Sequence, residues 1–120
     1  MIDKSAYFAE VWSRKLQAIT PRVHRILFND GSAPVAAECH SNADRYVLEN
    51  LGFVVERGWL IEIDALPRSL VAAHSLVRRG SQRFEITADR AWPFVPHVGT
   101  DEEFMWLARN GSAQEFLPYG

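Results

Sequence analysis

The chain has a single cysteine, Cys39, in the run Glu38-Cys39-His40-Ser41-Asn42. A histidine follows in Ala73-His74-Ser75, and two acids in Glu85-Ile86-Thr87-Ala88-Asp89. A thiol is a useful nucleophile only as the thiolate. A helix N-terminus favours that ion, because its unpaired amides carry partial positive charge. A nearby imidazole takes the proton and holds an ion pair. A carboxylate behind the imidazole fixes its tautomer and stabilises its cation. Amides of the first helical turn point to where an oxyanion would develop. Cys39 as nucleophile, His74 as base and Glu85 as orienting acid, with Asp89 as the competing orienter, supply these parts.

The same residues have other readings. A free cysteine often serves as a small buried hydrophobe, and His74 between Ala73 and Ser75 fits a satisfied core histidine. Cys39, His40, His74 and His97 are all capable of ligating zinc. They lack the short paired spacing of structural zinc sites. Adjacent residues on a helix also point about 100 degrees apart, so Cys39 and His40 are not expected to share an ion. No metal or cofactor is expected.

The elements that must position these groups can be read from local pattern. Phe8, Val11, Trp12, Leu16 and Ile19 follow helical spacing over Lys4 to Ile19, with Ser5 as cap and Pro21 as stop. Arg22 to Phe28 fits a short helix or a strand equally, and Asn29-Asp30-Gly31-Ser32 is a turn signal. Cys39 to Asn50 predicts a second helix, with Cys39, Ala43, Tyr46, Val47 and Leu51 on one face and Gly52 as C-terminal cap. Cys39 thereby falls in a first helical turn.

Strand-like runs follow at Phe53 to Glu56 and Trp59 to Ile63, with Arg57-Gly58 as a turn or bulge between them. Leu70 to Arg78 and Gln82 to Thr87 form a hairpin about Arg79-Gly80-Ser81. Phe94 to Val98, flanked and broken by Pro93 and Pro96, suits an edge strand. Thr100-Asp101-Glu102-Glu103 is a capping box that opens a helix to Arg109. The tail from Ser112 reads as loop that packs back through Phe116, Leu117 and Tyr119. Helices segregated from consecutive strands predict an α+β domain, with N-terminal helices packed on a mostly antiparallel sheet.

The order of the chemical residues resembles the core of papain-like cysteine hydrolases: cysteine at a helix start, histidine on a strand, an acid on the next strand. The compact transglutaminase-like and NlpC/P60-like domains are the nearest analogues. The pattern Cys39-His40-x-Asn42, Gly58-Trp59, His74 and Glu85-x-Thr87 is also similar to small bacterial proteins of unassigned function, in which Asp is common at the position of Glu85. The resemblance spans about Glu38 to Asp89. It implies a papain-like core, with Cys39 as nucleophile, His74 as base and Glu85 as orienting acid. Papain carries a glutamine shortly before its cysteine that helps form the oxyanion hole. Pro34 to Ala37 offer no amide side chain here, so Asn29, Asn42 or backbone amides would take that place.

With 120 residues, length predicts one domain. Thirteen basic against fifteen acidic residues give a formal charge of −2, which argues against a nucleic-acid partner. No apolar run approaches a membrane span, and the N-terminal stretch lacks the apolar core of a secretory signal. One cysteine makes no internal disulfide, and the expected location is cytoplasmic. The reading that follows is a cysteine-dependent hydrolase or acyltransferase acting on an amide or ester, on a peptide or protein substrate. The rival is a non-catalytic interaction module on the same scaffold.

Overall fold

A computed structural model describes residues 2–65, 68–111 and 113–116, the side chains of 63–70 and from 111 onward excepted. Chain order is α1 (Lys4–Ser13), a 3-10 turn (Lys15–Gln17), β1 (Arg22–Val23), α2 (Cys39–Glu49), β2 (Val54–Ala65), β3 (Arg68–Arg79), β4 (Gln82–Glu85), β5 (Phe94–Pro96), α3 (Asp101–Gly111) and β6 (Ala113–Phe116). The fold is α+β. Strand order is β1-β4-β3-β2-β5, with β6 pairing with β3. Each strand pairing described runs antiparallel except β1 with β4. Among the described residues, no helix is long and apolar enough to cross a membrane.

The contacts gather into two compact units, neither continuous in sequence. The first comprises 1–19, 57–73 and 92–120. Its helix α1 starts at Asp3, whose carboxylate accepts the Ala6 N–H at 3.1 Å; Ser5 is not the cap. Phe8, Val11 and Trp12 are buried as their spacing predicts, together with Trp59 and Ile61 of β2, Val71, Val95, Phe104 and Leu107. Each fully buried large side chain contributes about 1.5–3 kcal/mol. Phe8 meets Trp59 edge-on, 4.9 Å between ring centres.

The apolar stripe ends early. The α-helix stops at Ser13, so Leu16 is 93 % exposed and Ile19 is 41 % exposed. Ile19 instead exchanges backbone hydrogen bonds with Phe94, at 2.9 and 2.8 Å.

Arg57-Gly58 is neither turn nor bulge, because β2 runs straight through it. Gly58 pairs with Pro96, and a Cβ there would lie 2.4 Å from the Val95 carbonyl oxygen. The glycine is thus demanded by close approach of β5 rather than by a change of direction. The tail is likewise not loop at its start: Ala113–Phe116 is β6, in register with Ser69 to Ala72. The inferred packing of Phe116, Leu117 and Tyr119 lies outside the described side chains.

The second unit comprises 20–56 and 74–91. The ambiguous Arg22 to Phe28 segment holds only the two-residue β1, whose Arg22 and Val23 pair with Phe84 and Glu85. The predicted turn at Asn29–Ser32 is present: Gly31 has φ of +88° and the Asp30 carboxylate accepts the Ser32 N–H at 2.9 Å. Phe28, Ala43, Tyr46, Val77 and Ile86 form the core of this unit. Leu51, expected on the buried face of α2, is fully exposed because the helix ends at Glu49. β3 and β4 join through Gly80-Ser81, with Arg79 opposite Gln82 and Gly80 at φ of +62°. Arg78 and Arg83 of this hairpin both reach the Glu56 carboxylate.

Candidate active site

The chemical residues fall within the second unit. Cys39 is the first residue of α2. The chain enters that helix sharply: Ala37 has φ of +64°, a left-handed conformation uncommon for a residue with a Cβ and frequent near functional sites. The N-cap, Glu38, makes no side-chain cap hydrogen bond, so its carboxylate does not compete for the amides of the first turn. The Cys39 thiol is half-buried.

His74 lies on β3, in the half that belongs to this unit, and is 7 % exposed. Its Nε2 lies 2.6 Å from Oε1 of Glu85, the last residue of β4, which is completely buried. A buried carboxylate must be paired on both oxygens. Here Oε2 accepts the N–H of Thr87 at 3.0 Å and of Ala88 at 3.2 Å. The strand thus ends by folding its own following amides onto the acid. With Nε2 committed to Glu85, Nδ1 is the ring nitrogen left to face the Cys39 thiol.

The electrostatics follow from these contacts. Burial pushes the Cys39 thiol up, but hydrogen bonds from His40 and His74 and the charges of both rings outweigh it, bringing the pKa from 9.0 to about 6. Burial pushes His74 down, but hydrogen bonds with Cys39 and Glu85 and the charges of both partners raise it from 6.5 to about 9. Between about 6 and about 9 the pair is therefore thiolate and imidazolium.

Cys39, His74 and Glu85 are brought together; Asp89 and Asn42 are not part of that chain of contacts. Asp89 lies past the end of β4, exposed, where it lines a groove of about 260 Å³ with His24, Arg25, Ile26, Pro34 and Thr87. Glu85, held by the Thr87 and Ala88 amides, occupies the place beside His74. Asn42 is 4 % exposed, and its amide is spent: Nδ2 donates to the Val35 carbonyl at 2.8 Å and to Thr87 Oγ1 at 3.0 Å, while Oδ1 accepts the Val35 N–H at 3.1 Å. Neither of its N–H groups is left for an oxyanion. Asn42 instead clamps α2 to the loop before it and to the segment after β4. Asn29 is no substitute. It is exposed in the turn, with its backbone N–H on the Glu49 carboxylate at 2.8 Å.

His40, considered in the sequence only as a metal ligand, lies beside the thiol. His40 Nδ1 lies 3.7 Å from Cys39 Sγ and 2.6 Å from Oγ of the fully buried Ser75. The signals were a Cys-His pair at a helix start and a serine beside His74. Only the meeting of α2 with β3 gives them meaning. Among the described residues, no group of three or more His, Cys, Asp and Glu side chains is arranged to hold a metal ion. Comparison with known proteins leaves the site to its own geometry: no family model, no curated protein and no solved structure matches the chain.

Proposed function

We propose that the protein is a cysteine-dependent hydrolase or acyltransferase with a papain-like arrangement of its reacting groups, working on an amide or ester carbonyl of a peptide or protein. The observation that carries this reading is the buried pair of His74 with a fully paired Glu85, beside a helix-start thiol that His40 and His74 draw below its ordinary pKa. The absence of a second cysteine fits a reducing, cytoplasmic setting for such a thiol.

In this reading the Cys39 thiolate attacks the carbonyl carbon. A C–S bond forms and the carbonyl π pair moves onto oxygen. Backbone amides of the first turn of α2 face the developing anion. Collapse breaks the bond to the leaving amine or alcohol, which takes the proton of the His74 imidazolium. The products of this half are a thioester on Cys39 and the free amine or alcohol. His74, now neutral, takes a proton from water or an acceptor amine as that nucleophile attacks the thioester, and keeps it as the sulfur leaves as thiolate, which restores the ion pair. Glu85 keeps the ring oriented and stabilises its cation in both halves.

The test is the pH dependence of Cys39 alkylation by iodoacetamide. The inflection is a better readout than the neutral-pH rate, because a more acidic thiolate is also a weaker nucleophile. The wild type should inflect at about 6, and His74→Ala should move the inflection towards the ordinary thiol value of 9.0. An inflection at the ordinary value in wild type, unmoved by His74→Ala, removes the enzyme and leaves the interaction module.

A further inference from the structure

A side-chain donor strengthens an oxyanion hole built on backbone amides, and the amide side chains considered for that place, Asn29 and Asn42, are accounted for. Asn42 uses both of its N–H groups on Val35 and Thr87. Asn29 belongs to an exposed turn. His74 is engaged by Glu85 through Nε2, and in the hydrolase reading its proton goes to the leaving group. One ring cannot protonate the leaving group and hold the oxyanion in the same step. The remaining side chain with a polar atom at the sulfur is His40, 3.7 Å away through Nδ1.

Resting on the hydrolase reading above, we infer that His40 is a second catalytic imidazole, whose Nδ1–H donates to the oxyanion formed when Cys39 attacks a carbonyl. In the tetrahedral adduct the oxygen anion and the sulfur are bonded to the same carbon, so a donor 3.7 Å from sulfur reaches that oxygen when the carbonyl binds with its oxygen towards His40. The negative charge moves from sulfur to oxygen as the C–S bond forms, and the Nδ1–H follows it by a small shift of the hydrogen bond. No proton leaves His40 in this step. Ser75 Oγ, 2.6 Å from Nδ1 and fully buried, holds the ring plane; in the Nδ1–H tautomer that this role requires, the hydroxyl accepts and the N–H is shared between Ser75 and the oxyanion. Such preorganisation is what makes an oxyanion donor effective, because nothing has to turn as the charge appears. The sequence keeps the two imidazoles on different elements: His74 on a strand with its carboxylate, His40 on the helix with its hydroxyl. That separation allows one ring to carry a proton while the other stays fixed.

Two probes of Cys39 separate the roles. Iodoacetamide alkylates sulfur by displacement and passes through no oxyanion; p-nitrophenyl acetate acylates it through one. Rates are compared at the plateau of each variant's own pH profile, where the sulfur is fully ionised. For His40→Ala, plateau alkylation should stay within about threefold of wild type, while acylation should fall by about a hundredfold, the usual cost of one oxyanion donor. His40→Asn places an amide N–H close to the position of Nδ1 but cannot shuttle a proton, and should recover most of the loss. Ser75→Ala, which releases the ring, should slow acylation by about tenfold.

The inference is overturned if alkylation and acylation fall together in His40→Ala, if acylation is unchanged, or if His40→Asn is as slow as His40→Ala. If wild type and Cys39→Ala are acetylated alike, while the alkylation inflection is ordinary, the hydrolase reading itself has failed. Failure of the His40 role alone leaves wild-type acylation dependent on Cys39 and His74.

Discussion

Each unit of this protein holds a histidine in a hydrogen-bonded network, and the two arrangements differ in kind. In the first unit, His97 Nδ1 accepts the hydroxyl of Tyr7, and Nε2–H donates to the Thr100 carbonyl at 2.9 Å. Tyr7 in turn accepts the Trp59 indole N–H at 2.8 Å. Trp59 is fully buried and packs against Phe8 and Phe104. The chain of donors closes on a backbone carbonyl, and burial raises the Tyr7 phenol. In the second unit, the carboxylate of Glu85 stands on one side of His74 and an acidic thiol on the other. The first histidine fastens three elements, Tyr7 on α1, Trp59 on β2 and the start of α3. The second holds a proton between a carboxylate and an acidic thiol. A sequence reader sees two histidines near aromatic or apolar neighbours; the partner at the far nitrogen decides which one is chemistry.

The largest way to break that contrast is Glu85→Gln. It leaves His74 without a counter-charge in a buried site, and disrupting one partner of such a pair costs about 3–5 kcal/mol. Denaturant unfolding at neutral pH should show a loss of that size. The alkaline limb should move as well. The folded-state pKa of His74 is raised, so its stabilisation is full below its unfolded value of 6.5 and is lost as pH rises through about 9. That of Cys39 is depressed, so its stabilisation is full above 9.0 and is lost as pH falls through about 6. Glu85→Gln should bring the His74 limb to lower pH, narrowing the range in which acylation proceeds. An unfolding free energy within about 1 kcal/mol of wild type, with an unmoved limb, would show that Glu85 is not the partner that holds the imidazolium.

Much of this was legible before any coordinates. The capping box, the Gly80 hairpin and the placement of Cys39 at a helix start are local, and local chemistry sets them. Glu85 and His74 could be paired because adjacent strands bring their side chains together. What could not be read depends on contacts far apart along the chain. Gly58 looked like a turn because its reason, the approach of Phe94 and Val95, lies on another strand. Leu16 looked like core because the point where α1 stops is not written in the spacing of its apolar residues. His97 had no partner until Tyr7 was brought to it from the other end of the chain. Asn42 looked available because its amide is consumed by Val35 and Thr87, one of them on a different segment. The place of His40 beside the thiol is not written in the sequence, where helical angles bear only on its sharing a metal ion with Cys39. The first turn of a helix is where a side chain can lean outside that cylinder towards a neighbouring strand, as His40 does towards Ser75.

A smaller test sharpens the contrast from the structural side. Tyr7→Phe keeps the ring against Phe8 and Trp59 but removes the hydroxyl. The Trp59 N–H and His97 Nδ1 both lose their partner, and each unsatisfied buried group costs about 1–3 kcal/mol before water compensates. Thermal or denaturant unfolding should report a loss in that range. The inflection of Cys39 alkylation should stay at about 6, since neither Tyr7 nor its partners contribute to the thiol's shift. A moved inflection would mean that the closed network also tunes the thiol, and the division of labour between the two histidines would be wrong.

The mildest perturbation is Thr100→Ala. The Thr100 hydroxyl accepts the Glu103 N–H at 3.1 Å, and the Glu103 carboxylate accepts the Thr100 N–H at 2.9 Å, so each residue satisfies a donor that the helix cannot. Glycine precedes the cap because φ is +134° at Gly99 and a Cβ there would lie 2.8 Å from the Glu103 carboxylate. Losing the hydroxyl alone should cost about 1 kcal/mol. The His97 bond should survive, because its acceptor is the backbone carbonyl of Thr100 and every residue has one. The His97 side-chain NMR signals should therefore keep the Nε2–H tautomer in Thr100→Ala while the unfolding midpoint drops slightly. A tautomer change, or a loss as large as that of Tyr7→Phe, would mean that the cap and the histidine form one cooperative unit, with the Tyr7 network extending into the first turn of α3.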